Sequence, residues 1–210
     1  MSLRKESFEA LKHYIPEGTF DLVMPMILHY KVHLVVTRER KTKLGDYRNA
    51  HYGKNHRITV NGNLNQFAFL ITLIHELAHL LTFEQFGLKV APHGREWKRI
   101  YGELLKDFLS SGIFPQDLAQ ELVSILHNPA ASSCAEDGLT RILRKYDTHK
   151  RHLHLVEELQ VGDRFLIKGG KLFERREQVR KRIKCLEIGS GKMYLFSPLY
   201  EVKKLDGHSG

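Results

Sequence analysis

Residues 65–87 read NQFAFLITLIHELAHLLTFEQFG, and this stretch decides the fold. A helix over 65–86, turning about 100° per residue, gathers Phe67, Leu70, Ile74, Leu77 and Leu81 on one side. Ile71, Leu73, Ala78 and Leu80 fill the flanks, so the helix is apolar almost all round and is expected to be buried. Gly87 terminates it. The main polar interruption is a stripe on the opposite side, Thr72, His75, Glu76 and His79, with Phe83 beside them. Burying two imidazoles and a carboxylate without partners costs several kcal/mol. A metal ion supplies the partner. Histidines at i and i+4 project from one face, one turn apart, which suits two ligands of a tetrahedral Zn2+, and Glu76 is placed to act on a water rather than on the metal. The bland explanation is a solvated histidine pair, and the surrounding Ile, Leu and Ala argue against a solvated face.

A catalytic zinc site of this kind takes three protein ligands and leaves a position for water. The longer pattern HExxHxxGxxH fails here, because Thr82 stands at the Gly position and Gln85 at the last His position. Glu84 lies about 140° round the helix from His79 and does not reach. The third ligand must come from the segment that follows, where His93, Glu96 and Glu103 are the candidates.

His75-Glu76-Leu77-Ala78-His79, followed after a short loop by Pro92-His93-Gly94-Arg95-Glu96-Trp97, resembles the SprT/Spartan-like zinc metallopeptidases. Their signature is HExxH and then an HGxx(F/W) segment whose His is the third ligand. The match covers helix, loop and helix over residues 65–105, and more loosely the basic stretch and strands upstream, about two-thirds of the chain. The resemblance implies a zincin-like helical core and one Zn2+ per chain held by His75, His79 and His93. It leaves Glu96 either as a residue that orients a ligand or as plain charge at a helix start. It implies peptide hydrolysis, in which zinc acidifies water and polarises the scissile carbonyl while Glu76 moves the proton to the leaving amine. Better-known relatives act on protein bound to DNA, so the expected partners are a protein or peptide substrate and DNA or RNA. Relatives often carry a cysteine-containing zinc ribbon downstream, whereas Cys134 and Cys185 stand alone here.

Outward from this core the chain reads as α+β. Upstream, a helix is expected over 3–15 and another over 19–29. KVHLVVT at 31–37 is a strand, and further strands are expected over 46–52 and 56–61. Downstream, helices are expected over 94–111, 115–127 and 137–146, with breaks at Pro115 and Asn128-Pro129. Residues 1–146 are expected to form the metallopeptidase domain, 147–154 (DTHKRHLH) a linker, and 155–210 a small basic module of four or five antiparallel strands. His149, His152 and His154 are read as solvated linker residues rather than a second metal site.

The chain has 210 residues with 33 Lys+Arg against 24 Asp+Glu, a net charge of +9. That length fits one domain with a small appendage, and the charge permits a polyanionic partner. Seven basic residues lie within 38–57, just before the long helix, and nine within 164–184, opposed there only by Glu174 and Glu177. Tyr194, Phe196 and Tyr200 follow the second cluster. Basic strands with interleaved aromatics suit nucleic acid, and Arg175, Arg176, Arg180 and Arg182 are the residues expected to make that contact. A charged hairpin that protects a sheet edge is the alternative. Glu76 and Glu84 interrupt the longest apolar run, which argues against a transmembrane helix, and no signal peptide is legible in the first residues. Two isolated cysteines exclude a disulfide framework and point to the cytoplasm. The leading expectation is a zinc-dependent peptidase. The rival is a non-catalytic, zinc-containing adaptor that binds nucleic acid or serves transcription.

Overall fold

The structure, a computed structural model, describes residues 8–40, 42–147 and 152–205. The chain divides into two compact units, residues 1–146 and 147–210.

Among the described residues the first unit opens in α-helix at Phe8 and Glu9 and tightens to a 3-10 turn at Ala10–His13, within the helix predicted over 3–15. Residues 3–7 of that expectation lie outside the described residues. Then come α1 (Phe20–His29), β1 (His33–Thr37), β2 (Gly45–Arg48) and β3 (Arg57–Asn61). The strand expected over 46–52 is shorter. After Arg48 the chain turns at an isolated bridge between His51 and Lys54, with positive φ at Tyr52 and Gly53. The sheet order is β1-β3-β2, with β1 parallel and β2 antiparallel to β3. The central strand is buried at Ile58 and Val60, whereas β2 is an edge. Arg40 and Asn61 fix the loop that leads into that edge. Arg40 Nε donates to Asn61 Oδ1 (2.8 Å) and Nη1 to Thr59 Oγ1 (2.9 Å), while Asn61 Nδ2 donates to the Lys43 carbonyl (3.0 Å).

Four helices follow: α2 (Gln66–Phe86), α3 (Arg95–Ser110), α4 (Gln116–Ile125) and α5 (Asp137–Lys145). The core of the unit is built around α2. Leu70, Ile71, Leu73, Ile74, Leu77 and Leu80 are fully buried. By length and composition alone α2 could cross a membrane, but 72% of its apolar window is buried within the protein, as in a core helix. Asn65 starts it, its Oδ1 accepting from the Ala68 N–H (2.9 Å) and its Nδ2 donating to the Leu143 carbonyl (3.0 Å). One side chain thereby caps α2 and ties it to α5.

The second unit is a six-stranded antiparallel sheet: β4 (His154–Leu155), β5 (Arg164–Leu166), β6 (Leu172–Val179), β7 (Arg182–Glu187), β8 (Met193–Phe196) and β9 (Glu201–Lys204), in the order β4-β9-β5-β6-β7-β8. Its own core contains Val156, Phe165, Phe173, Ile183, Cys185 and Val202. Alternate residues of β7, Ile183, Cys185 and Glu187, are buried, the period of two expected of a sheet with one covered face. The sheet begins at His154, which pairs with Val202, within the stretch read as linker. His149 lies outside the described residues.

Candidate metal centre

Helix α2 carries His75 and His79 on one face and Glu76 beside them. His75 and Glu76 are each only 4% exposed. His93 arrives from a different local structure. It sits at φ 56° in the turn before α3, a left-handed conformation uncommon for a residue with a side chain. Gly94 follows as the N-cap of α3, its N–H bonded to the Ala91 carbonyl (2.9 Å). This tight turn brings His93 Nε2 to 2.9 Å from His79 Nε2 and 3.2 Å from His75 Nε2. The potential ligand atoms of all three residues lie within 4.8 Å of one another.

These three nitrogens cannot satisfy one another by hydrogen bonding. An Nε2 carries at most one hydrogen, so His93 Nε2 can donate to only one of its two neighbours. A tetrahedral zinc with Zn–N near 2.0–2.1 Å sets its nitrogens about 3.3 Å apart, close to the spacing observed. The group could therefore hold a metal ion. Burial pushes His75 down to about 3 and His79 to about 4, with the neighbouring imidazoles adding to it. Burial, with Lys98 nearby, also lowers His93. All three are neutral at neutral pH and offer lone pairs, the form a metal binds.

Trp97, fully buried, braces the cluster. Its ring centroid lies 4.7, 5.3 and 4.6 Å from those of His75, His79 and His93, and it stacks on Tyr101 at 5.0 Å. Strand β2 closes the opposite approach to Glu76. The Tyr47 backbone N–H donates to the Glu76 carboxylate. Burial, and then the charge of Asp46, raise that carboxyl to about 8, against the opposing pull of Arg40, Lys43 and the Tyr47 N–H. Gly45 faces the same helix so closely that a β-carbon there would run into Glu76 and the Thr72 methyl. A cleft of about 600 Å3 lies over the group, lined by Lys43, Gly45, Tyr47, Glu76, the three histidines and Ser132, among others.

Of the residues singled out from sequence, His75, Glu76, His79 and His93 come together. Glu96 pairs with Arg95 at 3.7 Å, and no hydrogen bond links it to an imidazole among the described residues. Glu103 is engaged by Arg99 at 3.0 Å. One arrangement had no signal in the sequence. The Tyr47 hydroxyl meets His56 Nδ1 at 2.9 Å, and His56 Nε2 meets Glu84 Oε1 at 3.2 Å. His56 Nδ1 also accepts the Ala50 N–H, so its hydrogen is on Nε2 and the tyrosine donates. The Tyr47 ring in turn lies parallel to that of His79, at 6.4 Å. Residues 47, 56, 79 and 84 are joined by tertiary folding, which no local spacing announces.

In the second unit the four arginines do not share a face. Arg175 pairs in register with buried Cys185 and so lies toward the core side. Arg176 is on the outer side, held to Glu174 at 2.8 Å. Arg180 is in the β6–β7 turn at φ 54°, and Arg182 opens β7 opposite Val179.

The SprT-like family model matches residues 8–111, the stretch that contains the whole histidine cluster. Among curated relatives, a Protein SprT of Enterobacter sp. (strain 638) is 60% identical over 95 residues, 41% of this chain and 53% of that protein. A Protein SprT of Escherichia coli O157:H7 is 36% identical over 104 residues, 45% of this chain and 58% of that protein. That of Photorhabdus laumondii subsp. laumondii is 43% identical over 72 residues, 32% and 34% of the two chains. The chain thus spans little more than half, at most, of the length of these relatives. No solved structure matches it. Through the unit that carries its three clustered histidines, the chain belongs to the SprT-like family.

Proposed function

We propose that the chain is a zinc-dependent peptidase of the cytoplasm, its first unit a zincin-like catalytic domain. The observation that carries this reading is the convergence of three neutral imidazole nitrogens, at 2.9 and 3.2 Å, beside a buried carboxylate in an open cleft. His75, His79 and His93 would hold the ion. When bound, zinc supplies Lewis acidity, making water a stronger acid and polarising an amide carbonyl.

The rest of the chemistry belongs to the chain. Glu76, in the ionised form that a cation held by the three histidines would favour, takes a proton from water in the cleft and returns it to the departing amine. The Tyr47 N–H fixes one carboxylate oxygen. Trp97 packs against the three ligand rings and limits their rotation. Strand β2 is the edge of its sheet beside the cleft, with the Tyr47 N–H already engaged by Glu76. An extended peptide laid along it gains main-chain hydrogen bonds whatever its side chains, which suits a protein substrate.

The test is a peptidase assay on zinc-loaded protein, with and without single-stranded DNA. Glu76→Gln keeps the fold and the metal but cannot accept the proton, and turnover falls about 10²–10⁴-fold. Equal turnover by wild type and Glu76→Gln would remove Glu76 from the mechanism. For the second unit we retain nucleic acid as the proposed partner, supported by its basic residues and by Tyr194 and Tyr200, each 40% exposed.

A further inference from the structure

A second cavity, of about 620 Å3, runs along α3 and shares His93 with the catalytic cleft. Its floor is a single stripe of the helix: Arg95, Lys98, Arg99, Gly102, Glu103 and Lys106. These stand at i, i+3, i+4, i+7, i+8 and i+11, the repeat of one helical face. The stripe is about 16 Å long at the rise of an α-helix, the span of about five residues of extended chain. The far wall is Leu126 and His127. Gly102 allows the wall to come close, because a β-carbon there would lie 2.8 Å from the Leu126 carbonyl oxygen. Lys98 Nζ reaches across to Asn128 Oδ1 at 2.6 Å.

The charge of this groove is unbalanced. Four cations line it against one carboxylate, Glu103, which is already held by Arg99 at 3.0 and 3.2 Å. The Arg95 side chain is 94% exposed, with Glu96 only at 3.7 Å. Among its described lining residues the aromatic rings are those of His93 and His127, smaller stacking surfaces for a base than Phe, Tyr or Trp. It offers aliphatic stems, a leucine and a row of cations.

We infer that this groove receives an acidic stretch of the polypeptide being cut, whose carboxylates pair with Arg95, Lys98, Arg99 and Lys106. The inference rests on the peptidase reading above. Because the groove and the cleft meet at His93, a chain lying across the histidine cluster continues into the groove. Residues within about five positions of the scissile bond on that side are then selected for negative charge, which steers encounter as well as binding.

The measurement is fluorescence anisotropy of the full chain carrying Glu76→Gln, with a labelled peptide bearing a run of about five glutamates and its glutamine-matched twin. At low ionic strength the glutamate peptide binds about tenfold tighter, the sum of several exposed ion pairs, and the advantage shrinks with added salt. Arg95→Gln with Lys106→Gln removes most of that advantage, and Glu103→Gln, which frees Arg99, enlarges it. Equal affinity for the twins, or an advantage that survives the double substitution, overturns the inference. So does a short DNA that displaces the peptide and itself loses affinity in the double variant, because the groove is then a nucleic-acid site. Binding is read here without turnover, so a wild type that cuts no peptide overturns the peptidase reading separately.

Discussion

Helix α2 and the β6–β7 hairpin are both rich in ionisable side chains, and they treat them in opposite ways. On α2, His75 and Glu76 are 4% exposed, and His75 meets two other imidazoles rather than a charge of opposite sign. On the hairpin most of the charges lie at the surface, buried Glu187 and core-facing Arg175 apart, and several are matched. Arg164 and Arg176 meet Glu174, Lys171 meets Glu187 and Lys184 meets Glu177. Burying an unmatched polar group costs enough that something must compensate it, and that something is commonly a ligand. An exposed ion pair is worth about 0–1 kcal/mol and points to nothing beyond itself. The difference teaches that burial, rather than density of charge, makes a cluster informative.

The contrast can be broken most decisively at the metal centre. His79→Ala should remove the bound metal, taking zinc from about one ion per chain to almost none by elemental analysis of purified protein. His93→Ala should weaken it strongly and Glu96→Gln much less, since Glu96 faces Arg95 rather than an imidazole. Full occupancy in His79→Ala would leave the buried cluster without its explanation.

Next in size is Gly45→Ala. The added methyl meets Glu76 and Thr72, and such overpacking costs about 1–3 kcal/mol. Thermal denaturation should show the loss, and the proposed peptidase activity should drop further than stability because the proposed base is displaced. Wild-type activity in this variant would mean that β2 does not hold Glu76.

A smaller effect concerns pH, in metal-free protein. His75 and His79 take protons near 6.5 when unfolded but are held to about 3 and 4 when folded. Their contribution to stability is therefore lost as pH falls below about 6.5. Glu76 runs the other way. Unfolded it ionises near 4.5, while folded it keeps its proton to about 8, so its contribution is lost as pH rises between those values. From 4.5 to 6.5 the two histidines outweigh the one carboxyl and stability climbs; from 6.5 to 8 it declines. The melting temperature should peak near pH 6.5, and Glu76→Gln should abolish the declining limb. A decline that persists in Glu76→Gln would assign it to another group.

The least effect is expected in the second unit. If it binds nucleic acid, replacing Arg175, Arg176, Arg180 and Arg182 by Ala flattens the slope of log K against log salt by about one for each phosphate that the protein no longer neutralises. Because Arg175 lies toward the core and Arg176 is already paired, the flattening should fall short of the full effect of all four arginines. An unaltered slope would move the binding surface to the basic stretch at 38–57.

Much of the first unit was legible because its signals are local. The apolar periodicity of 65–86 and the stop at Gly87 placed α2 within a residue of its observed ends. His75, Glu76 and His79 share a face by spacing alone. His93 needed the resemblance, because a loop residue at positive φ has no periodicity to follow. The Tyr47–His56–Glu84 chain and the approach of Gly45 to Glu76 were invisible, since both depend on how a sheet edge docks on a helix. In the second unit the strands were readable from alternation and turns, but the facing of each arginine was not. The register shift between Arg175 and Gln178 interrupts the alternation that would have assigned it.

Gly45 sets the aperture of the cleft by the atom it lacks. Here the distance between the edge strand and the proposed general base is set where backbone meets a buried carboxylate, with no side chain between to adjust. The Arg40–Asn61 clamp holds the same loop from behind. The carboxylate proposed as the base and the strand proposed to receive the substrate therefore form one side of the cleft as a unit. Whatever adaptability the protein shows toward different peptides must come from the side that His93 and its turn provide.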